Sequence, residues 1–128
     1  MLNGILKAAS AAMTVCPAAN VRVVDGDTIV ADVKLPAWTK ATMREYVRFT
    51  GVDAPPAGTS NGDKATAWLK EKLGDKPVTL VVKNSRDQHG RILAEVWLDG
   101  EDKSVNTQLV EAGMAVIYKD LEAPNEVA

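Results

Sequence analysis

The sequence predicts a mainly β domain with helices: a five-stranded Greek-key barrel with two helices and an extra helix at the N-terminus. Three observations predict it. Apolar and polar residues alternate in five short segments, the period of half-buried strands. Two further segments carry a helical period and are framed by cap residues. The chain is 128 residues long with 46% hydrophobic and 25% charged content, values of one ordinary domain with its own core.

Each element can be justified in order. Leu2, Ile5, Leu6, Ala9, Ala12 and Met13 follow i, i+3, i+4 spacing, which predicts a helix over residues 2–15 that Pro17 ends. Its apolar face must cover a core or meet another chain. Val21 to Val24 begin a strand, Asp25-Gly26-Asp27 turns the chain, and Ile29, Ala31, Val33 and Leu35 alternate with Val30, Asp32 and Lys34. Residues 36–43 read as a loop. Glu45 to Thr50 form the third strand, with Val47 and Phe49 on one face and Tyr46, Arg48 and Thr50 on the other. Gly51 and Pro55-Pro56 then break it.

Ser60-Asn61-Gly62-Asp63 matches a capping box. Ala65, Trp68, Leu69 and Leu73 mark the helix that follows, with Trp68 in its core stripe and Gly74 as its C-terminal cap. Val78, Leu80 and Val82 form the fourth strand; Ile92, Ala94, Val96 and Leu98 form the fifth, with Trp97 half exposed on the alternate face. A second helix runs near Ser104 to Ala112, capped by Gly113, before a short extended piece from Met114 to Tyr118. Residues 120–128 are acidic, carry a proline and read as a frayed tail. Three strands, a helix, two strands and a helix suit a barrel of the OB type. The domain is placed at residues 20–119, after an N-terminal extension at 1–19.

Composition narrows the function. With 15 basic and 17 acidic residues the net charge is −2, so no global basic field draws in nucleic acid and any contact must be local. No run approaches the roughly 18 apolar residues of a membrane span. Cys16 is the single cysteine, which leaves no intrachain disulfide or cysteine metal site and reads as a small buried thiol. Met1 to Ala19 loosely resembles a signal peptide with a small-residue cleavage site, though its charge is slight. Removal of that segment implies secretion; retention implies the cytoplasm.

The chemistry lies in a dispersed set of charges. Asp25-Gly26-Asp27-Thr28, Arg48-Phe49-Thr50-Gly51-Val52-Asp53-Ala54-Pro55-Pro56 and Asp87-Gln88-His89-Gly90-Arg91 all sit at strand ends. Two carboxylates, Asp27 and Asp53, are oxygen ligands suited to a hard cation. Two guanidiniums, Arg48 and Arg91, match phosphate oxygens as bidentate forks and stabilise charge in an in-line displacement.

The order of these motifs, followed by Val105-Asn106-x-x-Leu109-Val110-x-x-Gly113, resembles the thermonuclease family of staphylococcal-nuclease-like domains over about residues 20–119. The resemblance implies a calcium-dependent phosphodiesterase acting on DNA or RNA. It implies that Asp27 and Asp53 ligate Ca²⁺ with the Ala54 carbonyl, and that Arg48 and Arg91 hold the phosphate. It also exposes a departure. The family pattern Asp-Ala-Pro-Glu implies a glutamate general base where this chain has Pro56. A positioned base contributes about 10²–10⁴-fold in rate, so slow cleavage is expected. Asp63 and Glu45 are the acids nearby in sequence; Asp63 reads as a helix cap and Glu45 lies on the strand face opposite Arg48. Members of the family also continue into a third helix, whose surface the segment at 2–15 would cover here, within one chain or between two in a homodimer.

Plainer readings stand beside these. Asp25-Gly26 alone is a hairpin turn, and Arg91 after Gly90 simply closes another. His89 has no second His or Cys beside it and reads as a loop residue that touches a nucleotide. Trp38 and Tyr46 are candidates for base stacking, Trp38 lying near Lys40 and Arg44; packing of Trp38 under its own loop serves equally well. Tyr118 joins the nucleic-acid candidates. Three functions follow: a nuclease acting on single-stranded DNA or RNA, a module that binds strands or a nucleotide without cutting, and an oligomerising interaction protein with a vestigial cleft.

Overall fold

The alternating segments pair as the pattern requires. A computed structural model describes residues 14–35 and 41–118. Its elements are β1 (Thr14–Asp25), β2 (Thr28–Lys34), β3 (Thr42–Phe49), β4 (Val52–Asp53), α1 (Ser60–Leu73), β5 (Val78–Arg86), β6 (Ile92–Trp97), α2 (Val105–Glu111) and β7 (Val116–Ile117). Five strands close into a barrel in the order β1-β2-β3-β6-β5, and β4 pairs with β7 in a separate ribbon. This is the OB-type barrel that the order of elements predicts.

Four barrel seams are antiparallel. The fifth, β3 to β6, is parallel and matches Val47 with Ile92, Arg48 with Leu93 and Phe49 with Ala94. A parallel seam needs a long crossover, which β4, α1 and β5 supply. Strand β1 serves two neighbours: Thr14 to Ala18 pair with β5 and Ala18 to Asp25 with β2. Register shifts between Ala19 and Arg22 and between Val23 and Asp25 bend it, and Asn20 takes a positive φ of 52° at the first. Such bulges sharpen strand twist and help a sheet close.

The barrel interior holds Ile29, Val33, Val47, Phe49, Leu80 and Val96, all at or near zero exposure. Leu69 and Leu73 of α1 and Val105 and Leu109 of α2 join the same cluster. Truncating a fully buried Phe or Leu of this kind costs about 2–5 kcal/mol.

Three expectations change. The helix at 2–15 lies outside the described residues up to Met13, but Thr14 and Val15 are strand, and so is Pro17. The Ala-rich stretch satisfies helical and strand periods alike. Pro17 is tolerated because only β5 pairs with it, the register with β2 starting at Ala18. The α1 cap sits one residue earlier than predicted: Thr59 Oγ1 accepts from the Gly62 amide at 3.0 Å, while the Asp63 carboxylate accepts from the Gly58 amide at 3.2 Å. Trp97 is only 6% exposed, not half exposed, and its indole N–H reaches Glu95 Oε1 at 3.2 Å. Trp68 packs partly buried against the core, Cys16 is buried, and Gly74 takes the left-handed φ of 55° that ends α1.

Candidate active site

The site begins with a close approach. A Cβ on Gly26 would stand 2.7 Å from the Ala65 side chain and 2.8 Å from that of Ala54. Glycine therefore lets the β1–β2 turn rest against α1 and against the loop after β4. That contact brings Asp27 to Ala54, whose amide donates to Asp27 Oδ2 at 2.8 Å. Thr28 Oγ1 donates to the other oxygen at 3.2 Å, and the Asp27 amide donates to Asp25 Oδ1 at 3.1 Å.

Asp27 is 8% exposed. Burial pushes its carboxyl up to about 6; the Ala54 amide and the Arg48 guanidinium pull the other way without prevailing, and Asp25 adds to the rise. A buried carboxylate so little compensated favours a nearby cation.

Arg48 links this turn to Asp53. Its side chain, 13% exposed, lies 3.5 Å from Asp27 Oδ2 and 3.2 Å from Asp53 Oδ1. The guanidinium also donates to the Phe49 and Val52 carbonyls at 2.9 and 2.8 Å, which locks its orientation. One arginine thus holds both expected cation ligands. The Asp53 side chain remains 52% exposed, open to a further partner. These oxygens suit a hard cation in kind. Among the described residues no group of three or more His, Cys, Asp or Glu side chains gathers to hold a metal, so a backbone carbonyl and water would have to complete its shell.

Arg48 also lines a pocket of about 400 Å³, together with Arg86, Asp87, Gln88, His89, Arg91 and Tyr118. The β5–β6 turn builds most of its wall. Asp87 Oδ1 accepts from the His89 and Arg91 amides, both at 2.9 Å, and Oδ2 accepts from Arg91 Nε at 2.6 Å. Burial would raise the Asp87 carboxyl, but the Arg91 amide and guanidinium and the His89 amide outweigh it and hold the group low. The terminal nitrogens of Arg91 have no hydrogen-bond partner among the described residues, so its fork is oriented and unspent. Tyr118 arrives through the β4–β7 ribbon, its amide donating to the Gly51 carbonyl at 2.9 Å.

The pocket thus brings together Arg48, the turn residues His89 and Arg91, and Tyr118 from three separate stretches of sequence. Asp27 and Asp53 are joined to it through Arg48, and Ala54 through its amide on Asp27. Other candidates fall elsewhere. Tyr46 is 51% exposed on β3 and does not line the pocket, and Trp38 lies outside the described residues. Pro56 is exposed and also absent from the pocket wall. Its carbonyl accepts from the Thr59 hydroxyl at 2.6 Å and blocks any side chain at Gly62, where a Cβ would come within 1.8 Å.

Two residues in this region escaped the sequence reading. Arg86 lines the pocket and is gripped by Glu45, with contacts at 2.9 and 3.3 Å; that pairing also occupies Glu45. Asn106 is buried at 4% exposure, accepts from the Val96 amide at 2.9 Å and donates to the Thr50 and Ala94 carbonyls at 2.8 and 3.3 Å. It ties α2 to β6 and to the end of β3 that bears Arg48. Its place in the Val-Asn-x-x-Leu motif was the available signal.

Fold and site together define a staphylococcal-nuclease-like domain. The profile of the family described as Staphylococcal nuclease homologue matches residues 46–127, more than half of the chain, and the protein belongs to that family. It is similar to the Thermonuclease of Staphylococcus intermedius, 36% identical over 101 residues that cover 73% of this chain and 55% of the relative. The Thermonuclease of Staphylococcus hyicus is 34% identical over 102 residues, 74% of this chain and 55% of the relative. Endonuclease YhcR of Bacillus subtilis is 35% identical over 118 residues, 82% of this chain but 9% of that protein. The chain spans about half the length of the two staphylococcal relatives.

Proposed function

We propose that this protein is a calcium-dependent phosphodiesterase of the thermonuclease type that cuts single-stranded DNA or RNA slowly. One observation carries the reading: Arg48 faces the same pocket as Arg91 and touches both Asp27 and Asp53. The Arg91 fork, held by Asp87, receives phosphate oxygens in a bidentate manner. Arg48, fixed by two carbonyls, meets charge that develops on the phosphoryl group. Asp27, Asp53 and the Ala54 carbonyl would hold Ca²⁺, which supplies Lewis-acid polarisation of a phosphoryl oxygen. Tyr118 and His89 at the pocket wall would meet sugar or base. The working unit is residues 20–119, extended by the strand residues at 14–19.

The test is hydrolysis of a single-stranded oligonucleotide by wild type, Asp27→Ala and Arg91→Ala, in Ca²⁺ and in chelator. The expected result is cleavage in Ca²⁺ alone, reduced about 10²-fold or more by either substitution. Cleavage that survives chelator or Asp27→Ala would overturn the cation assignment. A second reading rests on Pro56, which offers no base: the cleft binds single strands without cutting them. Binding with no cleavage by wild type, and cleavage gained in Pro56→Glu, would establish it.

A further inference from the structure

If the cleft cuts phosphodiesters, something must accept the proton of the attacking water. Pro56 has no proton-accepting side chain. Glu45 is bound by Arg86, and Asp63 by the Gly58 amide. Within the pocket only two side chains offer a proton-accepting group near neutral pH, Asp87 and His89. Both Asp87 oxygens already accept from the His89 and Arg91 donors, and those donors hold its carboxyl low, which makes it a poor base. His89 differs. Its backbone is pinned by Asp87, while its exposed ring makes no hydrogen bond to any described residue. Imidazole is the side-chain base that titrates between about pH 5 and 8.

We propose that His89 is the proton acceptor for the attacking water, doing in the β5–β6 turn what a carboxylate at position 56 would otherwise do. The proposal rests on the nuclease reading above. As the water oxygen bonds to phosphorus, one of its protons passes to the imidazole. The opposite P–O ester bond breaks, its electron pair staying on the leaving oxygen, which takes a proton from solvent. The imidazolium then returns its proton to solvent, so water is the only co-reactant. The charged groups that face the ring's pocket are Arg48 from β3, Arg86 from β5, Asp87 and Arg91 from the turn, with the Tyr118 phenol after β7.

The experiment compares wild type, His89→Gln and His89→Ala on a single-stranded oligodeoxynucleotide in Ca²⁺, across pH 5–9. Wild-type kcat is expected to rise with unit slope through the imidazole range. In His89→Gln kcat should fall about 10²-fold or more with KM changed by less than about threefold, and the rising limb should vanish. Free imidazole in the buffer should restore part of the rate to His89→Ala. Wild-type cleavage with kcat preserved in His89→Gln would overturn the proposal and leave the nuclease reading standing. A rise in KM alone would make His89 a binding group and overturn it too. Absence of cleavage by wild type would overturn the nuclease reading and the proposal with it. Because His89 is an exposed turn residue, circular dichroism of both variants should match wild type.

Discussion

Asp27 sets stability against function. Its carboxyl sits at about 6 in the folded chain against an ordinary 3.8. Between those values the folded state binds more protons than the unfolded one, so stability falls as pH rises from about 4 through about 6 and stays lower above. Asp27→Asn keeps an acceptor for the Ala54 amide and removes the buried charge. In chelator at pH 7.5 it should gain roughly 1–3 kcal/mol in urea unfolding, and the gain should disappear below about pH 3.5. On the proposed cation assignment, Ca²⁺ should raise the Tm of wild type and leave that of the variant unchanged. Residues such as Asp27, Arg48 and Arg91 were legible because short motifs place them at strand ends. Arg86 and Asn106 were not, because each acquires its role from partners distant in sequence that only the folded barrel supplies.

At the scale of elements, the β1–β2 turn and the start of α1 form one fitted joint. Gly26 has no room for a Cβ against Ala65 and Ala54, and Gly62 has none against the Pro56 carbonyl. Gly26→Ala should destabilise by about 1–3 kcal/mol, the usual result of overpacking. It should also weaken Ca²⁺ binding, measured by calorimetry, since the turn carries Asp27. The strands themselves were readable from alternation, down to the face that Arg48 shares with Tyr46. The first strand was not, because an Ala-rich run with a proline fits helix and strand periods equally. The α1 cap was misplaced by one residue because Thr59 and Ser60 are both good caps; the close contact with Pro56 favours Thr59.

Across the whole molecule, the barrel closes on the parallel β3–β6 seam, and Asn106 bridges it. Asn106→Ala would leave the Thr50 carbonyl and the Val96 amide short of a partner, while the Ala94 carbonyl keeps the Thr50 amide, so a loss of about 2–4 kcal/mol is expected in urea unfolding. Asn106→Asp should fare no better, since a carboxylate cannot donate to the Thr50 and Ala94 carbonyls. The barrel order was legible from the succession of elements alone. The way the seam is fastened was not: a motif named Asn106, but its partners, the Val96 amide and the Thr50 and Ala94 carbonyls, are supplied only by the folded barrel. Nothing in the alternation marks Asn106 as a buried clasp.

That seam also orders events in time. Val47 and Ile92 are far apart in the chain, and contacts of long sequence separation carry the largest loop-closure cost. Arg48 sits in the seam and Arg91 immediately before it. The two pocket arginines therefore meet only when the barrel shuts. A nascent or partly folded chain carries every residue of the site yet has no pocket, so any cutting of nucleic acid would wait on closure of that seam.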